Sequence, residues 1–336
     1  MKKEFPKKII ISRTDSIGDV VLTLPLCAWL KKEFPKTKIT FLCKNYTIPI
    51  LSNVEFVDQI ISVDNFVNSS ESEQIAFFVD LKADWILHVF PNKKIARLAK
   101  KAKIKNRVGT SHRLFHFFTC NQKVSFTRKR SSLHEAQLNF YLLQPLGLKK
   151  IPSFFEIRDI HKQLRPFENK LPNELSSFLC NQKVVILHPK SQGSALEWPI
   201  DKYISLSKSL VSKGVGVVFT GTENEGSLFR SLIPEDKLII DSTGKLNLQQ
   251  LMFLISQSNA IVACSTGPLH IGGLCGIQSI GLFSQRKPIH PGRWKPLGEK
   301  SQTLVYDENC KPCSLGKMCN CIEKITIDEV INKLSY

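Results

Sequence analysis

Acidic residues are scarce: 29 Asp and Glu stand against 47 Lys and Arg in 336 residues, a formal net charge of +18. Long-range attraction therefore favours an anionic partner, which leaves nucleic acid, an acidic membrane surface and phosphorylated glycolipid open. Uninterrupted apolar runs are missing too. The opening lysines precede Ile9-Ile10-Ile11, but Arg13, Asp15 and Asp19 cut that run short and exclude a signal-peptide core. The chain is accordingly expected to stay in the cytoplasm. Asn259 to Phe283 is almost free of charge, yet Pro268 and five glycines break it, which suits a strand-turn-helix-strand unit and not a membrane span. There is no repeat of fixed short period and no low-complexity tract. With 42% hydrophobic and 23% charged residues the composition is globular, which excludes a disordered chain. No RNP, helix-turn-helix or zinc-finger spacing accompanies the positive charge, so no nucleic acid partner is expected.

What is present fits two α/β domains of ordinary size. Short β-branched runs alternate with helical patterns, which predicts βαβ units and parallel sheets. Lys8 to Ser12, Lys38 to Leu42 and Trp85 to Val89 read as strands of a first sheet. Val184 to His188, Val215 to Thr220, Leu238 to Asp241, Ala260 to Cys264 and Ser279 to Phe283 read as a second, with helices near Asp201 to Ser212 and Asn247 to Gln257. Asn247 with Gln250 three residues on predicts a capped helix start. The polar stretch Asp159 to Gln182 reads as a linker. The expected fold is α/β, with two Rossmann-like domains facing across a cleft, over residues 1-165 and 180-322, and a C-terminal helix over 323-336.

In open α/β sheets ligands bind beyond the carboxyl ends of the strands, so chemistry is expected in those loops. After the first strand, Arg13-Thr14-Asp15-Ser16-Ile17-Gly18-Asp19 runs into an apolar helix; Gly18 is expected to turn the chain and leave Asp19 near a helix N-terminus. A carboxylate there can act as a general base or simply cap the helix. After Val184 to His188, the small-residue loop with Lys190, Ser191, Gly193 and Ser194 can hold phosphate oxygens. Gly221 permits close ligand approach, and Glu225 either binds ribose hydroxyls or charges a helix start. Thr243-Gly244-Lys245 is a turn at the next strand end. Ser265-Thr266-Gly267-Pro268-Leu269-His270 puts a proline in a first helical turn and free N–H groups toward an anion, with His270 either a ligand or a core residue.

The run Arg13 to Pro25, Arg-Thr-Asp-Ser-Ile-Gly-Asp-Val-Val-Leu-Thr-Leu-Pro, followed by Leu30-Lys31-Lys32-Glu33-Phe34-Pro35, resembles the opening of glycosyltransferase family 9, the heptosyltransferases. The resemblance extends more weakly along the chain through the four later loops. It implies a GT-B fold and transfer of heptose from ADP-heptose to a lipopolysaccharide inner core or related anionic glycolipid, without a cofactor. Asp19 matches the family's proposed base. The loops carrying Lys190 to Ser194, Gly221 to Glu225, Thr243 to Lys245 and Ser265 to His270 match its donor-binding segments. Arg13, Ser16 and Gly18 fall to the acceptor side. Two positions depart from the family pattern: Leu196 stands where a phosphate-contacting lysine is usual, and Ser265 where an aspartate touches the sugar. A transferase of the same fold using another nucleotide sugar, and a non-catalytic nucleotide-sugar-binding protein, therefore stay open.

Lys93, Lys94, Arg97, Lys100, Lys101, Lys103, Lys105 and Arg107, then Arg113, Arg128, Lys129 and Arg130, accompany Phe115, Phe117 and Phe118. This combination suits a phosphorylated glycolipid in an anionic membrane, with Lys100, Lys101 and Lys103 as acceptor contacts, and places the protein peripherally on the cytoplasmic face of the inner membrane. Ten cysteines occur, six of them single within apolar segments, as small core residues of a reducing compartment. The other four, Cys310, Cys313, Cys319 and Cys321, begin with a zinc-like spacing, but one residue between the last two is tight for a standard knuckle. No metal is required by the reaction expected here.

Overall fold

The computed structural model describes residues 5–52, 54–128, 131–161 and 169–335. Lys129 and Arg130 of the basic run lie outside the described residues. Contacts divide the chain into two units, residues 1–165 and 166–336. The first holds strands β1 (Lys8–Ser12), β2 (Lys38–Cys43), β3 (Gln59–Ser62), β4 (Trp85–His88), β5 (Asn106–Thr110) and β6 (Gln122–Val124), in the order 3-2-1-4-5-6. The second holds β7 (Val184–His188), β8 (Gly216–Phe219), β9 (Ile239–Asp241), β10 (Ala260–Cys264), β11 (Gln278–Phe283) and β12 (Ser301–Val305), in the order 12-11-10-7-8-9. All pairings are parallel. The two Rossmann-like α/β units expected from the sequence are thus both present.

Parallel strands are covered on both faces, so their centres read as continuous apolar runs. Ile9, Ile10 and Ile11 in β1 and Val185, Ile186 and Leu187 in β7 are fully buried for this reason. Each sheet reverses its winding once, between β1 and β4 and between β7 and β10, and such a reversal leaves a crevice at the carboxyl ends.

Gly272 shows how closely one helix is seated. A Cβ there would lie 2.5 Å from Ile261 Cγ2 and 2.6 Å from Ser279 Oγ, so only glycine lets the helix Gly267–Leu274 lie directly on β10 and β11.

The stretch 159–182 is not a single linker. Its last part is the helix Asn173–Asn181, and Phe178 packs there against Gly216 of β8, because an apolar face at helical spacing outweighs the polar composition around it. The helix Ile327–Lys333 does not stand apart either: Ile322, Ile325, Val330 and Leu334 share one core with Trp198, Tyr203 and β7. Among the described residues no helix is long and apolar enough to cross a membrane.

Candidate active site

In the first unit, β1 delivers Arg13 into the core, where it is only 2% exposed. Its guanidinium meets three carboxylates: Nε lies 2.8 Å from Asp15, Nη1 lies 3.4 Å from Glu135, and Nη2 is in direct contact with Asp19 Oδ1. Arg128 shares Glu135, donating from Nε at 2.7 Å, and reaches Asn139 Oδ1 at 3.2 Å. Asn139 in turn donates to the Leu22 carbonyl at 3.2 Å, and the Thr23 hydroxyl to the Asp19 carbonyl at 2.8 Å. Burial raises the Asp15 pKa, while the charge of Arg13 pulls it back. Arg13, expected among the acceptor contacts, is buried and paired with three carboxylates inside the protein, Asp19 among them.

Gly18 departs from expectation as well. The helix starts at Ile17, so Gly18 lies within it and makes no turn, while Asp19 sits in the first turn, half-buried, after an exposed Ser16. The three lysines expected to hold acceptor are misplaced for that task. The helix Lys93–Lys101 starts after the carboxyl end of β4 and runs back along the sheet, which leaves Lys100, Lys101 and Lys103 at the edge opposite Asp19. Lys101 there pairs with Glu71 at 2.7 Å. Exposed Lys93 and Lys94 stand instead at the start of that helix and, with Arg97, line a cavity of about 520 Å³.

His88, at the end of β4 and in register with Ser12, is fully buried, with both ring nitrogens lacking hydrogen-bond partners. Its ring lies 5.6 Å from that of His116, whose Nδ1 is 2.9 Å from the Thr110 carbonyl oxygen. Burial pushes the His88 pKa down to about 3, with the nearby His116 adding to the shift.

In the second unit the loops expected to cradle a donor do converge. The Ser194 hydroxyl donates to the Ser265 carbonyl at 3.3 Å, joining the loops after β7 and β10 across the switch point. His188 Nδ1 lies 2.9 Å from the Thr220 hydroxyl, and the Gly244 amide donates to the Gly221 carbonyl at 2.9 Å, linking β7 to β8 and β8 to β9. Gly244 has φ +73°, and a Cβ there would strike Glu223, so this turn needs glycine.

Several expected ligands are already engaged. Lys190 pairs with Glu197 at 2.9 Å, and the Ser191 hydroxyl donates to the same carboxylate at 2.9 Å. Burial would raise the Glu197 pKa, but the bonds from Lys190 and then Ser191 leave it lowered. Thr243 is buried and donates its hydroxyl to Asp241 at 2.6 Å, and Arg230 donates to that hydroxyl at 3.0 Å. Glu225 closes a capping box with Thr222 through Oε2, at 2.7 Å from the amide and 2.9 Å from the hydroxyl, which is the helix-start alternative to a ribose contact. His270 is 3% exposed with its ring 6.3 Å from that of Trp294, a core residue and not part of the rim.

What stays available is narrower. Thr266 caps the helix Gly267–Leu274, with Pro268 in its first turn and no side-chain cap bond; its hydroxyl is buried without a partner. Lys245 is exposed at the rim, as is Ser194, whose hydroxyl already donates to the Ser265 carbonyl. Arg286 and Lys287, which sequence reasoning passed over, line a cavity of about 340 Å³ together with Gly193, Ala195 and Leu196. The signal was there, since they follow β11 and the rule of strand ends applies to every strand of the sheet.

A carboxylate at the switch point of one Rossmann-like unit, and a helix start with an unpartnered hydroxyl at that of the other, lie where open α/β sheets bind their ligands. The model of glycosyltransferase family 9 (heptosyltransferase) matches residues 81–322, and the chain belongs to that family. It is 26% identical to a putative glycosyltransferase of Haemophilus influenzae, over 98% of this chain and 96% of that one. It is 24% identical to lipopolysaccharide heptosyltransferase 3 of Escherichia coli, over 83% of each. The solved E. coli ADP-heptose lps heptosyltransferase II has the same fold, with a TM-score of 0.73 at 18% identity over 97% of both chains.

The buried histidine makes a testable demand on stability. An unfolded His88 takes up a proton as pH falls through about 6.5, whereas the folded form resists until about 3. Its contribution is thus intact above about pH 6.5 and is lost at up to about 1.4 kcal/mol per pH unit toward acid. Urea unfolding of His88→Gln between pH 7 and 4.5 should show a shallower acid decline than the parent; equal slopes would disprove the assignment.

Proposed function

We propose that this chain is an inverting transferase that moves heptose from ADP-heptose onto the inner core of lipopolysaccharide or a related anionic glycolipid. Support for heptose comes from the family and from relatives named for that sugar. The observation that carries the donor site is the unpartnered Thr266 hydroxyl at the start of the helix Gly267–Leu274, where N–H groups and the helix dipole favour an anion. Residues 166–336 hold the nucleotide, and residues 1–165 hold the acceptor. Asp19, held and aimed by Arg13, takes the acceptor hydroxyl's proton as that oxygen attacks the anomeric carbon from the face opposite the diphosphate. The departing diphosphate is stabilised by the amides around Thr266 and Gly267 and by Arg286 and Lys287, which replace the charge missing at Leu196. Transfer by this route needs no catalytic metal and no cofactor. A second reading, the same chemistry with another nucleotide sugar, is favoured by Ser265 in place of the family's aspartate, and calorimetric titration of a panel of nucleotide sugars separates the two.

The acceptor side is suited to a lipid surface. Leu114, Phe117 and Phe118 recur at positions i, i+3 and i+4 of the helix Leu114–Thr119 and stay 53–77% exposed, beside Arg113 and Lys123. Apolar side chains flanked by cations suit peripheral attachment to the anionic cytoplasmic face of the inner membrane.

Three outcomes are expected. Asp19→Asn should retain ADP binding while turnover falls at least about a hundredfold, the scale of a lost general base; near-parental turnover would remove Asp19 from the mechanism. Replacing Arg286 and Lys287 together with alanine should weaken ADP binding by about 1.5–3 kcal/mol or more in calorimetry, the worth of one charged hydrogen bond, and an unchanged affinity would place the diphosphate elsewhere. Sedimentation with vesicles containing phosphatidylglycerol should show binding at low salt that fades near 0.5 M, as exposed charges are screened. Serines at Phe117 and Phe118 should weaken it without affecting ADP affinity; salt-insensitive binding or none would refute attachment.

A further inference from the structure

The four terminal cysteines come together in a way that core packing does not explain. Cys310 precedes the helix Lys311–Ser314, Cys313 lies within it, Cys319 is on the following loop, and Cys321 opens the helix Cys321–Lys324. Their four sulfur atoms all lie within 4.8 Å of one another, with Cys313 and Cys319 2.7 Å apart, Cys310 and Cys321 3.3 Å, and Cys310 and Cys319 3.9 Å. Cys310, Cys313 and Cys321 are buried, and together with Cys319 they form a cluster of their own, separate from the aliphatic core.

A tetrahedral ion bound by four thiolates at about 2.3 Å spaces its sulfurs about 3.8 Å apart, within the spread found here. Two disulfides would explain close pairs but would not require all four sulfurs to surround one point. The single residue between Cys319 and Cys321 ceases to be an obstacle, because one sulfur comes from a loop and the other from a helix start. The Cys321 amide points at Cys319 Sγ from 3.5 Å.

The cluster is also placed to matter. The Cys313 carbonyl accepts from the Lys287 amide at 3.3 Å, and the Gly316 carbonyl from Arg286 Nε at 3.4 Å. The segment therefore lies directly under the basic loop that lines the cavity with Gly193 and Leu196. On its other side the same segment is anchored in the core: Ile322 and Ile325 pack with Trp198, whose Nε1 donates to the Ile325 carbonyl at 3.0 Å.

We propose that Cys310, Cys313, Cys319 and Cys321 bind one divalent transition-metal ion, zinc or ferrous iron, as a closed tetrathiolate that fastens the Arg286–Lys287 loop beneath the nucleotide. With every coordination position filled by protein, the ion is structural. It binds as the thiols release their protons, with no change of oxidation state, and thiolate donors of this number and geometry select zinc or iron over harder cations. The fastening role rests on the diphosphate reading of the preceding section, whereas the metal site does not.

The test uses the full chain purified anaerobically from medium supplied with zinc and iron. Elemental analysis should find about one equivalent of one of the two metals, and replacing the ion with cobalt(II) should give the visible absorption of a tetrahedral thiolate complex. Cys313→Ser should lose the metal, with its circular dichroism checked for folding, while Cys321→His, which keeps a zinc-binding donor, should retain zinc. Absence of metal in the anaerobic protein, or a mass lower by four hydrogens marking two disulfides, would overturn the site. Chelation should weaken ADP binding about tenfold, within the usual range of coupling between sites. A metal-loaded protein whose ADP affinity ignores chelation overturns the fastening. One that never binds ADP overturns the donor reading instead.

Discussion

A parallel strand cannot be joined to its neighbour by a tight turn: the chain must cross back over the sheet, usually as a helix, before it can pair again. Because both sheets here are wholly parallel, every loop that follows a strand collects on one edge and every loop that precedes one on the other. That constraint sorts the side chains before any chemistry is considered. Asp19, Lys93, Ser194, Thr266 and Lys287 all follow strands, and so each reaches its own unit's carboxyl edge. Lys100 to Lys103 precede β5 and fall on the far side, however suggestive their charge.

Within that edge the first unit spends unusual resources on one cation. A guanidinium buried without partners would cost several kcal/mol, and the same guanidinium beside three carboxylates becomes a fixed pivot. Through Glu135 and Asn139 the pivot reaches the helix Glu135–Phe140 and Arg128, so the loop after β1 is held by residues more than a hundred positions away. A carboxylate supported in this way has little rotamer freedom to lose on binding, which is the structural form of preorganisation. The second unit solves the same problem with local devices, the Glu197 loop anchor and the Thr222–Glu225 capping box.

The strands that run through the middle of each sheet were legible in the sequence because they are buried on both faces. β1, β7 and β10 were bounded to the residue by their apolar runs. The strands that escaped notice, β3, β5, β6 and β12, lie at or next to the sheet edges, and their polar residues dilute the pattern: β5 is Asn-Arg-Val-Gly-Thr and no residue of β12 is fully buried. Site residues were less legible than strands. The sequence points to loops, but whether a hydroxyl or charge in a loop is free or already engaged depends on partners such as Glu197, Arg230 and Asp241. Lys190, Ser191 and Thr243 could not be told apart from Thr266 and Lys245 on that basis. Likewise, Cys319 and Cys321 are too close in sequence for a familiar metal motif, and only the helix start between them brings both sulfurs to one place.

The segment from Ile322 to Leu334 returns to the core beside Trp198, more than 120 residues upstream, and Gln278 binds the backbone of Lys333 and Ser335. During synthesis the second unit therefore cannot close its core until these late residues have left the ribosome, at a translation rate of about 5–20 residues per second. The first unit draws its contacts from residues 1–165 and has no such wait. The nascent chain accordingly passes through a stage in which the half that carries Asp19 is finished while the half that carries Thr266 still exposes the apolar faces of β7 and β10. Apolar surface and unpaired strand edges exposed in such an interval are what make folding intermediates prone to aggregate.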